Sequence, residues 1–160
     1  MIEQIMLVAA VDGPPRYRPR SSRDDDFTLA RSCYDHLAGR LGVAIADAMV
    51  GGDYVLLDDD AGAVTSKGAD FLTEFGVDTS PTGRRGQPVF CRHCVDRTER
   101  RPHLAGTLGA KLSRRCFGPG WIERVRDSRT IKVTNAGRNG LRRTFGIDLD
   151  GPAKRDRIAA

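Results

Sequence analysis

His36-Leu37-Ala38-Gly39-Arg40-Leu41-Gly42 returns 67 residues later as His103-Leu104-Ala105-Gly106-Thr107-Leu108-Gly109. Two later stretches return in the same order: Val64-Thr65-Ser66-Lys67-Gly68 as Val133-Thr134-Asn135-Ala136-Gly137, and Phe75-Gly76-Val77-Asp78 as Phe145-Gly146-Ile147-Asp148. The offset grows from 67 to 69 to 70, so the extra residues fall between the matched stretches. A duplicated unit folds as a unit, and this repeat therefore decides the fold. It also argues against an enzyme with one unique catalytic constellation.

The first copy reads as a helix, a β-hairpin and a second helix. Ser22 with three following aspartates is typical of a helix start, and apolar residues then recur at three- and four-residue steps as far as Met49. Gly51-Gly52 ends this helix. Residues 54–57 and 63–65 predict a hairpin, and Thr65 or Ser66 caps a helix that runs to Phe75.

The second copy repeats this plan with a helix that begins at Thr98 or Glu99, a hairpin, and a last helix that Thr134 caps. The prediction is an α+β fold of two tandem helix–β-hairpin–helix repeats, winged-helix-like and related by a pseudo-two-fold axis. The predicted division of the chain is a remnant helix and linker at 1–20, repeat 1 at 21–79, a linker with a C-x-x-C motif at 80–97, repeat 2 at 98–149 and a flexible tail at 150–160.

Four shared residues of the repeat are predicted to be structural: His36, Gly39, His103 and Gly106. Equivalent histidines in both copies indicate a hydrogen bond that each makes within its own repeat. Glycine costs helix stability relative to alanine. The glycines therefore predict that the two long helices cross closely about the pseudo-two-fold axis.

Composition indicates a soluble, cytoplasmic protein with no membrane partner. The chain has 160 residues, 39% of them hydrophobic, a mean hydropathy of −0.40, and no apolar run long enough to span a bilayer. Its charge is uneven: residues 1–80 carry 7 basic and 14 acidic side chains, and residues 81–160 carry 19 and 7. Opposite charges on the two copies predict attraction within the chain or in a homo-oligomer such as a dimer, or a basic face for DNA on the second copy.

The basic second half supplies the candidate nucleic-acid contacts, which are Arg84, Arg85, Arg100, Arg101, Arg114 and Arg115. DNA binding requires such residues on one face and gives an affinity that falls steeply with salt. The alternatives are a solvated face and pairing with the acidic residues of the first copy.

Cys91 and Cys94 form a C-x-x-C motif with His93 between them. Thiolate and imidazole groups suit Zn²⁺ and other thiophilic metals, and Cys33 or His103 could complete four ligands. The alternative is a set of reduced, partly buried cysteines. Cys33 and His36 lie three apart on the predicted helix and could also form a nucleophile or half of a metal site.

Two long motifs resemble the C-terminal region of ArsR-type (arsenical-resistance repressor) transcriptional regulators. Arg31–Gly42 looks like the family's R-T-C-Y-D-H-L-A-G-R-L-G signature, and Cys94–Gly106 is similar to C-L-D-W-[ST]-E-R-R-x-H-L-A-G. The resemblance covers residues 14–149 and implies a role in transcription regulation. The family carries a winged-helix DNA-binding domain before this region, of which residues 1–11 resemble only the last turns. Arg97 stands where the family often has tryptophan.

The sequence contains no Walker loop, dinucleotide fingerprint, H-E-x-x-H or G-x-S-x-G motif, which predicts that the chain is not an enzyme. The preferred interpretation is the effector-sensing or assembly region of an ArsR-type regulator, not its operator-reading domain. One alternative is a thiol- or metal-binding sensor that uses Cys33, Cys91 and Cys94. The other is a stand-alone module that pairs with intact homologous regulators or binds DNA weakly.

Overall fold

The computed structural model describes residues 19, 21–59, 61–80 and 90–151. The predicted remnant helix and most of the predicted tail lie outside these residues. The described elements, in chain order, are α1 (Ser22–Leu29), β1 (Arg31–Cys33), β2 (His36–Ala38), α2 (Gly39–Gly51), β3 (Val55–Leu57), β4 (Gly62–Val64), α3 (Ser66–Phe75), β5 (Arg92–Val95), β6 (Pro102–Ala105), α4 (Gly106–Phe117), β7 (Ile122–Arg124), β8 (Ile131–Val133) and α5 (Asn135–Phe145).

The α+β class is confirmed. Within the described residues the strands form four two-stranded antiparallel hairpins, β1–β2, β3–β4, β5–β6 and β7–β8. The order hairpin, helix, hairpin, helix occurs twice, over residues 31–75 and 92–145. The tandem repeat and its pseudo-two-fold axis stay predictions from the sequence.

The continuous helix predicted from Ser22 to Gly51 is wrong. It is interrupted by the β1–β2 hairpin, in which Arg31 pairs with Ala38 and Cys33 with His36. The hairpin turns at Tyr34, which has a φ of 55° and is 94% exposed. Gly39, the first residue of α2, has a φ of 75°, outside the right-handed helical region, so the backbone changes direction where the helix begins.

The same correction applies to the second copy. The helix predicted to begin at Thr98 or Glu99 begins instead at Gly106, whose φ is 74°. The preceding residues form the β5–β6 hairpin, with Pro102 as the first residue of β6, a strand position that tolerates proline. Part of the predicted linker at 80–97 is therefore the strand Arg92–Val95, which carries Cys94.

The second hairpin of each half is confirmed, as are the threonine caps that follow. The hydroxyl oxygens of Thr65 and Thr134 accept hydrogen bonds from the N–H groups of Gly68 and Gly137 at 2.9 and 3.0 Å. A Cβ atom on Gly68 would lie 1.9 Å from the carbonyl oxygen of Tyr54. The start of α3 therefore packs directly on the backbone of Tyr54, the residue that precedes β3.

One hydrophobic core joins the two halves, with fully buried side chains from both, among them Leu41, Met49, Leu72, Leu108, Ile122 and Leu141. Helix α2 packs against β6 of the other half, and α4 packs against β2. Gly42 and Gly109 make this approach possible. A Cβ atom on Gly42 would lie 3.5 Å from the Cβ of His103, and one on Gly109 would lie 3.0 Å from the Cβ of His36.

Gly39 and Gly106 therefore do not sit at a helix–helix crossing, as the sequence predicts, but at junctions between a strand and a helix. We expect Gly106→Leu to destabilise the fold by about 1–3 kcal/mol, because a branched side chain is strained at a φ of 74°. Urea unfolding measures the loss. The matched control is Gly51→Leu, an exposed position with nothing within 4 Å of the added Cβ. Equal stability of the two variants would contradict the strain argument.

Candidate metal centre

Two hairpins from different halves bring two thiols and two imidazoles together. The ligand atoms of Cys33, His36, Cys94 and His103 all lie within 4.8 Å of one another, and we call these four residues the Cys/His cluster. Cys33 faces His36 across β1–β2, and Cys94 faces His103 across β5–β6. Directly opposite residues of an antiparallel pair project from the same face. Each hairpin therefore presents one sulfur and one imidazole to the other.

Both imidazoles are buried, and each is oriented through its Nδ1 atom. The His103 Nδ1 lies 2.8 Å from the carbonyl oxygen of Leu37, which accepts a hydrogen bond and so leaves the lone pair on Nε2. The His36 Nδ1 lies 3.2 Å from a carboxylate oxygen of Asp35. Metal-binding histidines are held by such bonds from their second nitrogen.

The His36 Nε2 atom gives the strongest indication that the cluster binds an ion. It is buried and has no hydrogen-bond partner among the described residues, although the residue itself is only 2% exposed. A buried polar atom without a partner is costly and calls for an explanation, such as an ion. A metal ion among the four ligand atoms would accept its lone pair.

The electrostatics of the cluster suit the binding of a cation. Burial lowers the pKa of His36 and of His103, which favours the neutral imidazoles that bind metals. Burial raises the pKa of the Cys33 thiol, and the neighbouring Cys94 raises it further. The four cysteines are free thiols. A bound metal ion deprotonates a coordinating thiol outright, which would outweigh these effects at Cys33.

The residues fit a tetrahedral site. Two sulfurs and two imidazole nitrogens form one of the common zinc ligand sets, and bond lengths of about 2.0–2.3 Å place the ligand atoms of such a site roughly 3.3–3.8 Å apart. The cluster, with its ligand atoms within 4.8 Å of one another, reaches this geometry by a small contraction.

Asp96 joins the two hairpins next to the cluster. Its carboxylate accepts hydrogen bonds from Arg31 at 2.9 and 2.7 Å and from the N–H of Gly39 at 2.7 Å. Burial alone would raise the pKa of Asp96, but donors from Glu99, Thr98 and Gly39 outweigh it and hold the pKa well below its usual range. Arg31 precedes Cys33 by two residues and Asp96 follows Cys94 by two, so this ion pair fixes the relative positions of the two strands that carry the sulfurs.

The structure brings Cys33 and Cys94 together and leaves Cys91 and His93 outside the cluster. Neighbouring side chains of a strand point to opposite faces, so His93 faces away from the side that Cys94 occupies. Cys91 is buried, a Cβ on Gly62 would lie 2.6 Å from its sulfur, and burial raises the pKa of its thiol to about 11. His36 and His103, assigned a structural role, complete the cluster instead, and the hydrogen bond predicted within each repeat is wrong for His103, which bonds to the carbonyl oxygen of Leu37 in the other half. Their equivalent positions in the two copies are the sequence feature that could have indicated a shared site.

The structure describes four of the six candidate DNA contacts. Arg101 pairs with Asp47 at 2.7 Å, and Arg115 donates to the carbonyl oxygen of Phe75 at 2.5 Å. Arg100 and Arg114 are exposed, while Arg84 and Arg85 lie outside the described residues. Contact between this face and DNA stays a prediction.

The fold and the site define an α+β protein with a Cys/His cluster between two hairpins. The chain is 32% identical over 153 residues to YdfF of Bacillus subtilis (strain 168), which is named an uncharacterized HTH-type transcriptional regulator. The match covers 93% of this chain and 65% of YdfF, so the chain spans a little less than two thirds of that relative. No family model and no solved structure matches the chain. Within the described residues, no helix has the length and apolar character to cross a bilayer.

Proposed function

We propose that this chain is the effector-sensing and assembly region of an ArsR-type transcriptional regulator and that it is not an enzyme. The similarity to an HTH-type regulator over nearly the whole chain supports the regulatory role. The two family motifs support the ArsR type. They include all four residues of the Cys/His cluster, since Arg31–Gly42 holds Cys33 and His36 and Cys94–Gly106 holds Cys94 and His103.

The effector in this proposal is Zn²⁺ or another thiophilic metal ion, and the observation that carries it is the Cys/His cluster itself. Cys33 and Cys94 would supply thiolates, and His36 and His103 would bind through Nε2. Soft sulfur ligands with imidazole select such ions over Mg²⁺ or Ca²⁺.

A ligand that bridges the two halves is suited to regulation. Two of the residues that would bind the ion lie on β1–β2 and two lie on β5–β6. A bound ion would therefore hold together hairpins that belong to different halves of the chain. A ligand that binds one arrangement better than another shifts the population toward it. Metal binding would thereby set the relative position of the two halves that assembly depends on.

Chromatin immunoprecipitation from the cells that make this protein tests both parts of the proposal. We expect defined DNA sites to be enriched with the tagged wild-type protein, and their occupancy to change when a cell-permeant zinc chelator is added. The variant Cys33→Ser/Cys94→Ser should lose that response, while His93→Gln, next to the cluster but outside it, should keep it.

The two parts fail in different ways. No enrichment of any DNA site would contradict the regulatory role. Enrichment that ignores both the chelator and the Cys33→Ser/Cys94→Ser change would keep the regulatory role and reject metal sensing.

A further inference from the structure

A cavity of about 510 Å³ lies on the outer face of α2 and shares no residue with the Cys/His cluster. Val43, Ala44 and Ala48 form its helical wall, and Phe145, Ile147 and Leu149 line the side that follows α5. Its volume falls in the range of small-molecule sites, roughly 300–1,000 Å³.

The corresponding place in the other half is filled by two long basic side chains of α4. The Arg115 Nε donates to the carbonyl oxygen of Phe75 at 2.5 Å, and its guanidinium lies 4.9 Å from the centre of the Phe75 ring. The Lys111 Nζ donates to the carbonyl oxygen of Asp78 at 2.5 Å. Both cations therefore bind to the end of α3 and the residues after it.

The repeat offsets show which residues stand at these places around the cavity. With the helix offset of 67, Lys111 and Arg115 correspond to Ala44 and Ala48; with the offset of 70, Phe75 and Asp78 correspond to Phe145 and Asp148. The carbonyl groups, the aromatic ring and the aspartate thus have equivalents in both halves, but the two basic residues of α4 are replaced by alanines in α2.

The two glycines that follow these helices show the difference directly. A Cβ atom on Gly76 would lie 2.9 Å from the Arg115 Nε, whereas one on Gly146 would meet nothing within 4 Å. Both glycines end their helices in the left-handed conformation, with φ values of 88° and 69°. The backbone has the same conformation at the two helix ends. The space that Arg115 fills beside Gly76 is open beside Gly146.

Acidic groups and an aromatic ring of the cavity wall can attract a positive ligand. The wall carries three carboxylates, those of Asp47, Glu99 and Asp148, and two arginines. Asp47 pairs with Arg101, Asp148 pairs with Arg142 at 3.4 Å near the surface, and Arg40 donates to the carbonyl oxygen of Gly151. The ring of Phe145 offers an aromatic face of the kind that attracts a guanidinium or ammonium group.

We propose that this cavity binds a small organic cation, a guanidinium or ammonium group on a short alkyl chain, in the place that Arg115 and Lys111 fill in the other half. The alkyl chain would lie on Ala44 and Ala48, and the cationic group would lie at the Phe145 ring, its carbonyl oxygen and Asp148. This site is a second effector site and does not depend on the metal centre.

Thermal unfolding of the full chain with butylguanidinium tests the proposal. We expect Tm to rise by about 3–6 °C at a ligand concentration of roughly ten times Kd, because the ligand binds only the folded chain. The uncharged isostere butylurea should leave Tm unchanged, and isothermal titration should give one cation per chain.

Three variants make the result decisive. Ala48→Arg should fill the site and abolish the response, and Ala44→Leu should do the same by volume if the first variant folds poorly. Arg115→Ala should lower Tm and create a second site, so that two cations bind per chain. A response to the cation in Arg115→Ala but none in the wild type would overturn the proposal, as would equal responses to butylurea or an unchanged response in both filled variants.

Discussion

Replacing both sulfurs of the cluster, as Cys33→Ser with Cys94→Ser, is expected to abolish stoichiometric Zn²⁺ binding. A serine hydroxyl stays protonated at neutral pH and does not replace a thiolate, so only the two imidazoles remain as ligands. We expect the affinity to fall by more than about 100-fold, beyond the effect of removing an outer partner of a ligand. Competition with a chromophoric chelator under reducing conditions measures it.

The sequence itself provides the matched control for this experiment. His93→Gln changes a residue next to Cys94 that lies on the opposite face of β5, and it should leave Zn²⁺ bound. Retention of one Zn²⁺ by the double serine variant, or loss of Zn²⁺ binding in His93→Gln, would reject the cluster as the binding site.

Replacing Asp96 with alanine is expected to lower the free energy of unfolding of the metal-free chain by about 3–5 kcal/mol. The change leaves Arg31 with a buried charge, since that side chain is only 7% exposed, and breaking a buried pair from one side has a cost of this size. The N–H groups of Gly39 and Glu99 lose their acceptor as well. Urea unfolding in the presence of a chelator measures the loss.

Two comparisons separate this effect from a general loss of charge. Arg138→Ala breaks the ion pair with Asp150, whose carboxylate is 62% exposed, and should cost no more than about 1 kcal/mol. The double change Arg31→Met with Asp96→Leu removes both charges and should be less destabilising than Asp96→Ala alone. A loss below 1 kcal/mol in Asp96→Ala would show that Asp96 does not hold the hairpins together.

Local signals account for the elements that the sequence predicted correctly. Thr65 and Thr134 each combine a capping hydroxyl with a glycine three residues later, and the hairpins before them have strong turn sequences. The first hairpin of each half lacked such a signal. Cys33, Leu37 and Leu41 recur with a helical step, and only the left-handed φ of Tyr34 and Gly39 shows that the chain turns there.

The Cys/His cluster was half predictable for a related reason. Cys33 and Cys94 were recognisable as thiol ligands, but the C-x-x-C spacing indicated Cys91 as their partner. In an extended strand that spacing does not place both sulfurs on one face. The sequence offered His36, with Cys33, and His103 only as alternative ligands. They meet in the cluster through the packing of two hairpins from opposite halves, a contact between residues 67 apart that no local pattern contains.

X-ray absorption spectroscopy at the zinc edge tests the central claim most directly, because it counts the atoms bound to the metal. For the Zn²⁺-loaded wild-type chain, we predict two sulfurs at about 2.3 Å and two imidazole nitrogens at about 2.0 Å. A first shell of nitrogen and oxygen alone, or one with three or four sulfurs, would contradict a site built from Cys33, His36, Cys94 and His103.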